Sequence, residues 1–255
     1  MPALEGLLVA DFSRVLAGPL VSMTLADFGA DVVKVEPPGG DETRAWSPPV
    51  DSQGRATFFL AVNRNKRSVE LNLKDPEDLA LARELARRAD VLVENFRPGT
   101  MDRLGLGYED LSQENSGLVY CSISGFGSGG GAALPGYDPL VQAMSGMMSV
   151  TGPPDGDPSK VGVALVDVIA GLNATVGILI ALQERAKSGK GQRVESDLLS
   201  SALAALENQA AAWLNTGELP VRLGNVHPSI EPFTTFHAAD GPVMICVGND
   251  RQFRS

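Results

Sequence analysis

Short apolar runs alternate with longer stretches of helical periodicity along the first half of the chain. The apolar runs predict strands at residues 7–12, 31–36, 68–73, 91–96 and 118–124. Helices are predicted between them, notably at 19–28, with Pro19 in the first turn and Gly29 after the end, and at 76–88, with Asp75 as the cap. Strands that alternate with helices in this way are typical of the α/β class and of a mainly parallel sheet.

The longest apolar stretch, residues 161–182, predicts a long helix of the kind that lies in a protein core. Asp167 is the only charged side chain between Lys160 and Glu184. Burying an unpaired carboxylate costs several kcal/mol, so we expect Asp167 to be paired, protonated or in contact with a cavity. A functional carboxylate and a helix-capping or structural aspartate are both open readings here. The stretch is long enough to cross a bilayer, but polar and glycine residues dilute it, and a membrane span is not favoured.

Composition narrows the function classes. The chain has 255 residues, of which 44% are hydrophobic and 20% charged, enough for one large domain or slightly more. A net charge of −10 argues against nucleic acid or an anionic membrane as the main partner. No signal peptide is predicted, and Cys121 and Cys246 are expected to be reduced, buried thiols of a cytoplasmic protein. The sequence predicts no metal site.

Unusual residues follow three of the predicted strands, in segments 13–19, 94–99 and 125–131. Ligands of parallel sheets bind outside the carboxyl ends of the strands, so these segments are candidate site loops. Gly125, Gly127 and Gly130 form the G-x-G-x-x-G spacing of dinucleotide-binding loops, but that motif opens directly into a helix. Here the next helix is predicted to begin only at Asp138, so a nicotinamide or flavin cofactor is not favoured.

The densest cationic cluster of this acidic chain is Asn-Arg-Asn-Lys-Arg at 63–67. It is either a solvated turn or part of a phosphate site, since arginine and lysine both bind phosphate. Arg14, Arg97 and Arg103 lie in predicted loops or helix starts around the same face of the sheet. A phosphate site would require them to lie nearby.

Eight segments form an ordered set of motifs along the chain: 4–11, 17–19, 29–36, 40–44, 65–68, 94–99, 136–138 and 189–192. Together they resemble the family III CoA-transferases, which include formyl-CoA and carnitine CoA-transferases and the alpha-methylacyl-CoA racemases. The resemblance implies a large Rossmann-like CoA-binding domain at 1–198, followed at 199–255 by a linker helix and part of a smaller α+β domain. It also implies a cytoplasmic, interlocked homodimer that takes acyl-CoA and a carboxylic acid as substrates, with no permanently bound cofactor.

The same resemblance makes Asp167 the catalytic nucleophile. In the family mechanism its carboxylate attacks the thioester, giving an acyl-aspartyl anhydride and then an aspartyl-CoA thioester. At an ordinary pKa near ~4 the carboxylate is ionised at neutral pH. The residues expected around CoA are Arg14, Val15, Leu71, Asn95, Phe96, Arg97 and Arg103. The phosphates are expected near Arg103 and near Lys66 or Arg67.

Two features of the sequence depart from the family pattern. Racemase members carry a histidine where this chain has Tyr137, and His227 and His237 lie far along the chain, which weakens the racemase alternative. Tyr137 is predicted to orient the acyl group or to donate a hydrogen bond to the developing oxyanion. The stretch 222–232 lacks the glycine run of the formyl branch, so specificity for formyl or oxalyl groups does not follow from the sequence.

The chain is also shorter than members of the family it resembles, and it ends inside the predicted smaller domain. A second hypothesis is therefore a CoA-binding fragment without catalytic competence. The sequence does not specify the donor and acceptor acids.

Overall fold

The computed structural model describes residues 2–254. Six strands form one parallel sheet in the order β3-β2-β1-β4-β5-β6, which is the order of doubly wound nucleotide-binding sheets. The strands are β1 (Leu8–Asp11), β2 (Asp31–Glu36), β3 (Lys66–Glu70), β4 (Val91–Glu94), β5 (Val119–Ser124) and β6 (Arg193–Asp197). The predicted α/β class with a parallel sheet is confirmed.

Helices connect and cover the strands. They are α1 (Ala17–Asp27), α2 (Thr57–Val62), α3 (Pro76–Arg88), α4 (Thr100–Arg103), α5 (Tyr108–Glu114), α6 (Asp138–Met144), α7 (Leu165–Ser188), α8 (Leu198–Ala205), α9 (Glu207–Thr216) and α10 (Asp250–Phe253). The predicted start of α3 is confirmed, because Asp75 Oδ1 accepts hydrogen bonds from the backbone N–H groups of Glu77 and Asp78. Every residue of the central strand β4 is buried, as expected for a strand with helices on both faces.

The helix α7 differs from the fully buried helix that its composition suggests. One face is buried and includes Ala170, Ala174 and Ile178, whereas Val176 and Ile180 on the other face are 55% and 63% exposed. By length and composition α7 could cross a membrane, a property that core helices of soluble proteins share. Apolar composition therefore identified the helix but not the proportion of it that is covered.

The chain divides into two compact units, and the division differs from the predicted boundary at 198/199. The first unit comprises residues 1–138 and 165–202, and the second comprises 139–164 and 203–255. Hydrogen bonds from Gly224 N to Gly152 O and from Arg222 Nη1 to Ser149 O connect segment 139–164 to the later part of the chain. The second unit also contains the predicted hairpin, formed by β7 (Phe233–Ala238) and β8 (Gly241–Cys246).

Two local predictions are wrong, and one strand was not predicted at all. The strand predicted at 68–73 begins at Lys66, so two residues of the cationic cluster belong to β3. The strand β6 was not predicted, because an edge strand with the sequence Arg-Val-Glu-Ser-Asp has almost no apolar signal. Cys121 is buried as expected, but Cys246 is exposed, and both are free thiols.

Candidate functional site

The loops that follow β1 and β4 meet above the sheet. These two strands are neighbours in the sheet, but the chain continues from β1 to β2 and from β4 to β5, towards opposite edges. The position where the strand order reverses in this way is the topological switch point, where doubly wound sheets bind ligands. Arg14 N donates to Asn95 Oδ1 at 2.7 Å, and Asn95 Nδ2 donates to Arg14 O at 2.7 Å. The structure thus brings together two of the residues predicted to surround CoA.

The loop after β1 has a strained conformation. Val15 has a φ of +66°, which a β-branched residue rarely adopts and which costs on the order of 1–3 kcal/mol. Gly18, in the first turn of α1, allows the turn to close, because a Cβ there would lie 2.2 Å from Ser13 Cβ. The backbone strain at Val15 and the tight packing at Gly18 fix the direction in which this loop faces.

Four buried charged side chains, Asp11, Lys34, Asp41 and Lys66, form an ion network beneath this loop. Asp11 Oδ1 accepts hydrogen bonds from both the backbone N–H and the hydroxyl of Ser13. Lys34 Nζ donates to Ser13 O at 2.7 Å and lies 3.0 Å from Asp41 Oδ2. Lys66 Nζ donates to Asp11 Oδ2 at 3.0 Å. The network therefore anchors the polar atoms of Ser13, the residue immediately before the predicted CoA contacts.

A cavity of about 310 Å³, here called the Phe96 cavity, lies beside this loop. Arg14, Leu71, Phe96 and Arg103 line it, so four of the predicted CoA residues share one cavity. The Arg14 guanidinium lies over the Phe96 ring with its Cζ 5.2 Å from the ring centroid, a cation–π geometry. An apolar floor with cations at its margin suits an adenine ring and its attached phosphates.

Asp167 lies at the N-terminal turn of α7, in the walls of two further cavities of about 200 and 100 Å³. Both cavities, here together called the Asp167 cavities, are also lined by Ala17, Asn95 and Arg97. Gly171 permits this arrangement, because a Cβ there would lie 2.9 Å from Ala17 O at the start of α1. Close packing of α1 against α7 therefore places the carboxylate beside the loops after β1 and β4.

The surroundings of Asp167 do not neutralise it. Among residues 2–254 no cation pairs with its carboxylate and no donor hydrogen-bonds to it, so it belongs to the cavity-facing class expected from the sequence. Burial, with a smaller contribution from Asp138, raises the pKa of Asp167 to about 7. The expectation of an ordinary pKa is wrong, because sequence position does not report how much solvent a carboxylate loses.

Asp138 is a site residue whose main contacts sequence reasoning missed. Asp138 Oδ2 accepts hydrogen bonds from the backbone N–H groups of Val166 at 2.7 Å and Asp167 at 3.2 Å. It thereby caps the start of α7, a helix 28 residues further along the chain. The sequence predicted only that a helix begins at Asp138. A cap supplied by a distant residue leaves no local sequence signal.

Tyr137 lines the larger Asp167 cavity and is 56% exposed. Its loop passes close to the end of β5, where Gly125 and Gly136 are in contact and a Cβ on either would lie 2.4 Å from the other's Cα. Close backbone packing thus explains Gly125, one of the three glycines that resembled a dinucleotide fingerprint. Tyr137 and Asp167 line the same cavity, as its predicted role requires.

Two predicted phosphate contacts are wrong. The Lys66 ammonium is buried and bonded to Asp11, to Pro19 O and to Asn63 Oδ1. The Arg67 guanidinium pairs with Asp31, the first residue of β2, which lies at the amino end of the sheet. The cationic cluster therefore serves the fold, whereas Arg103, in α4, lines the Phe96 cavity.

Glu94 ends the central strand β4 and is almost fully buried. Its carboxylate accepts a hydrogen bond from Phe96 N at 2.9 Å and another from the Ser122 hydroxyl. Burial raises the pKa of Glu94, and these two hydrogen bonds oppose the shift. Glu94 holds the turn that presents Asn95, Phe96 and Arg97, a role that the sequence did not reveal.

Within residues 2–254 there is no group of three or more His, Cys, Asp and Glu side chains placed to hold a metal ion. The polar and charged side chains that line the Phe96 cavity and the larger Asp167 cavity include those of Arg14, Glu36, Glu42, Asn72, Lys74, Asn95, Arg97, Arg103, Tyr137 and Asp167.

Comparisons with known proteins agree with this picture. The chain is 48% identical over 260 residues to the succinate–glutarate CoA-transferase of Agrobacterium fabrum and 48% identical over 254 residues to the acetyl-CoA:oxalate CoA-transferase of Acetobacter aceti. The alignments cover 99% and 98% of the chain but only 65% of each relative, so the chain spans less than two thirds of their length. A CAIB/BAIF family protein from Brucella suis superposes with a TM-score of 0.91 at 46% identity, covering 98% of this chain and 68% of that one.

The sequence profile described as CoA-transferase family III matches residues 4–255. The resemblance predicted from eight short segments is thus confirmed over nearly the whole chain. The chain belongs to CoA-transferase family III.

Proposed function

We propose that this chain transfers CoA from an acyl-CoA thioester to a free carboxylic acid, and that both acids are dicarboxylic. The observation that carries the reaction type is the Asp167 carboxylate, which faces two cavities without a cationic partner among the described residues. The substrate class is supported by the relative from Agrobacterium fabrum, whose name pairs two dicarboxylic acids, succinate and glutarate. The relative from Acetobacter aceti pairs dicarboxylic oxalate with acetyl-CoA, a monocarboxylic donor.

The proposed reaction begins with attack of an Asp167 carboxylate oxygen on the thioester carbonyl. The C–S bond breaks, and the products are an acyl-aspartyl anhydride and CoA thiolate. The thiolate then attacks the aspartyl carbonyl, which releases the donor acid and leaves an aspartyl-CoA thioester. The acceptor carboxylate repeats these two steps in reverse order and leaves as acyl-CoA, which regenerates the Asp167 carboxylate without net uptake of protons.

The raised pKa of Asp167 has a chemical use in this scheme. A desolvated carboxylate is a stronger nucleophile and a poorer leaving group than a solvated one, since water no longer stabilises its charge. The cost is that part of the free protein carries the protonated, unreactive form at neutral pH. The Asn95 amide and the Tyr137 hydroxyl line the same cavity and are the neutral donors available to a developing oxyanion.

CoA is proposed to place its adenine in the Phe96 cavity, against Phe96 and Leu71, with phosphates near Arg103 and Arg14. Because Arg14 lines both this cavity and the larger Asp167 cavity, the two are neighbours along one loop. The thioester end of CoA is then directed towards Asp167.

Incubation of the protein with succinyl-CoA and glutarate, followed by mass spectrometry of the CoA esters, tests the proposal directly. Formation of glutaryl-CoA with equal loss of succinyl-CoA supports it. The racemase alternative is tested by incubating a 2-methylacyl-CoA in deuterated water without an acceptor acid. Deuterium uptake at the alpha carbon in the absence of any CoA transfer would overturn the proposal, whereas CoA binding alone would indicate an incompetent fragment.

The homodimer and the cytoplasmic location are also proposals. Exposed apolar side chains on α7, among them Leu172, Val176 and Ile180, provide a surface that a second chain could cover. Light scattering of the purified protein distinguishes a dimer from a monomer. Fractionation of the source cells tests the location.

A further inference from the structure

This inference rests on the proposed function. A dicarboxylic substrate would bring a second negative charge close to the carboxylate of Asp167. While one carboxylate reacts at Asp167, the second enters a cavity that already holds an unneutralised carboxylate. Desolvating a second negative charge there is unfavourable unless a cation pairs with it. The walls of the Asp167 cavities are mostly neutral and include Leu16, Ala17, Pro135 and Gly136.

Two cations line the Asp167 cavities, and only one is already engaged. The Arg14 guanidinium stacks on Phe96 and lies 3.9 Å from Glu42 Oε1. The Arg97 guanidinium makes no ion pair and no hydrogen bond with any residue in the range 2–254. Arg97 is exposed, so its side chain is accessible to a ligand that enters from solvent.

The position of Arg97 separates it from the cations of the Phe96 cavity. It lines both Asp167 cavities but not the Phe96 cavity, whose cations are Arg14, Lys74 and Arg103. An arginine that contacted the adenosine phosphates would be expected in the latter wall. The placement of Arg97 thus favours the acyl end of the substrate over the nucleotide end.

The backbone of Arg97 is fixed, although its guanidinium has no partner among residues 2–254. Immediately before it, Phe96 N is held by Glu94 Oε2 at 2.9 Å. Its own carbonyl accepts a hydrogen bond from Thr100 N at 3.0 Å, and Pro98 follows directly. A guanidinium on a rigid backbone with no internal partner suits bidentate binding of a carboxylate.

We propose that Arg97 binds the second carboxylate of the dicarboxylic donor and acceptor, and so selects dicarboxylic acids over monocarboxylic acids of equal length. This assigns Arg97 to the acid and not to CoA, with which the sequence grouped it. A hydrogen-bonded charge pair of this kind is worth roughly a 10- to 100-fold preference.

The selectivity for dicarboxylic acids can be measured by identity exchange, in which a labelled acid replaces the same unlabelled acid in its CoA ester. Only one acid is then present in each assay. Labelled glutarate is exchanged into glutaryl-CoA, and labelled pentanoate, also of five carbons, into pentanoyl-CoA. The expected result is that Arg97→Gln lowers the ratio of the two kcat/KM values about 10- to 100-fold, mainly through glutarate. The control Arg103→Gln should raise KM for both acyl-CoA esters and leave the ratio unchanged. An unchanged ratio in Arg97→Gln, with or without a common loss of rate, would overturn the assignment.

A binding measurement keeps this test separate from the test of the reaction. Glutarate and pentanoate are titrated calorimetrically into the CoA-saturated protein and into its Arg97→Gln variant. Weaker glutarate binding in the variant, by about 10-fold or more, supports the role of Arg97 even where no CoA exchange is detected. Equal glutarate binding by both proteins contradicts it. Absence of exchange in the unaltered protein would instead count against the proposed transferase activity.

Discussion

Asp11 and Asp167 are both carboxylates of the first unit that lose much of their solvent, yet their pKa values shift in opposite directions. Burial tends to raise the pKa of Asp11, but Lys66, Lys34 and two serine hydroxyls outweigh it, and the pKa is lowered. Asp167 has burial and the nearby Asp138, and no cation among the described residues to oppose them. Neighbours, not depth, therefore decide whether a buried carboxylate is structural or reactive.

The two carboxylates also have different roles in the first unit: Asp11 stabilises a loop, whereas Asp167 is open to a ligand. The ion network around Asp11 satisfies the polar atoms of Ser13 and fixes the loop that carries Arg14 and Val15. The Asp167 carboxylate makes no hydrogen bond or ion pair in the described structure, so it can react with a substrate without first breaking an interaction within the protein. Substitutions in the ion network around Asp11 are therefore expected to lower stability, and substitutions of Asp167 are expected to lower activity.

The largest expected effect comes from removing the reactive carboxylate. Asp167→Asn should lower CoA transfer by at least about 10³-fold, because a neutral amide cannot form the anhydride. The CoA dissociation constant should stay within about twofold, since the Phe96 cavity is not altered. Steady-state kinetics and equilibrium binding measure the two quantities.

A matched control for this variant is Asp155→Asn, which removes an exposed aspartate from a loop of the second unit. It should retain full transfer. Hydroxylamine treatment of the unaltered protein with acyl-CoA should label Asp167. Labelling of another carboxylate would assign the nucleophile elsewhere.

Lys66→Met is expected to have the largest effect on stability. It leaves Asp11 buried with Lys34 as its remaining cation, and breaking a buried pair costs about 3–5 kcal/mol of unfolding free energy. The neighbouring Arg67→Met is the control, because its ion pair with Asp31 is exposed and should contribute less than about 1 kcal/mol. Denaturant titrations compare the two variants, and similar losses would show that the buried network has no special weight.

A smaller effect of opposite sign is expected at Asp167. Its pKa is about 7 in the folded protein and near 3.8 when unfolded, so between these values the folded state retains a proton that the unfolded chain releases. The free energy of unfolding therefore falls as pH rises through this window. Asp167→Asn should raise it by about 1–3 kcal/mol at pH 8 and by nothing below pH 4. A gain that is independent of pH would have a different cause.

Local features of the sequence predicted some parts of the fold and the site, whereas parts that depend on long-range contacts were missed. The Asp75-Pro76 helix start was sufficient to predict α3. The isolation of Asp167 in an apolar run limited its carboxylate to three states, paired, protonated or in contact with a cavity, but did not choose among them. The contacts that define the site are long-range: Asp138 caps a helix 28 residues away, and Lys66 reaches Asp11 across 55 residues. A local pattern of charges cannot distinguish a buried lysine from a phosphate ligand, which is why Lys66 and Arg67 were assigned incorrectly.

The smallest expected effect isolates the contribution of Asp138 to the pKa of Asp167. Below pH 7, kcat/KM for CoA transfer should fall about tenfold per pH unit, since only the ionised Asp167 reacts. Asp138→Asn removes a neighbouring negative charge, while the amide oxygen can still accept the hydrogen bonds from Val166 N and Asp167 N. The acid limb of the profile should then move to lower pH by less than about one unit, because burial is the larger cause of the shift. A limb that stays in place would mean that burial alone raises the pKa of Asp167, and a limb that moves by more than one unit would mean that the charge of Asp138 is the larger cause.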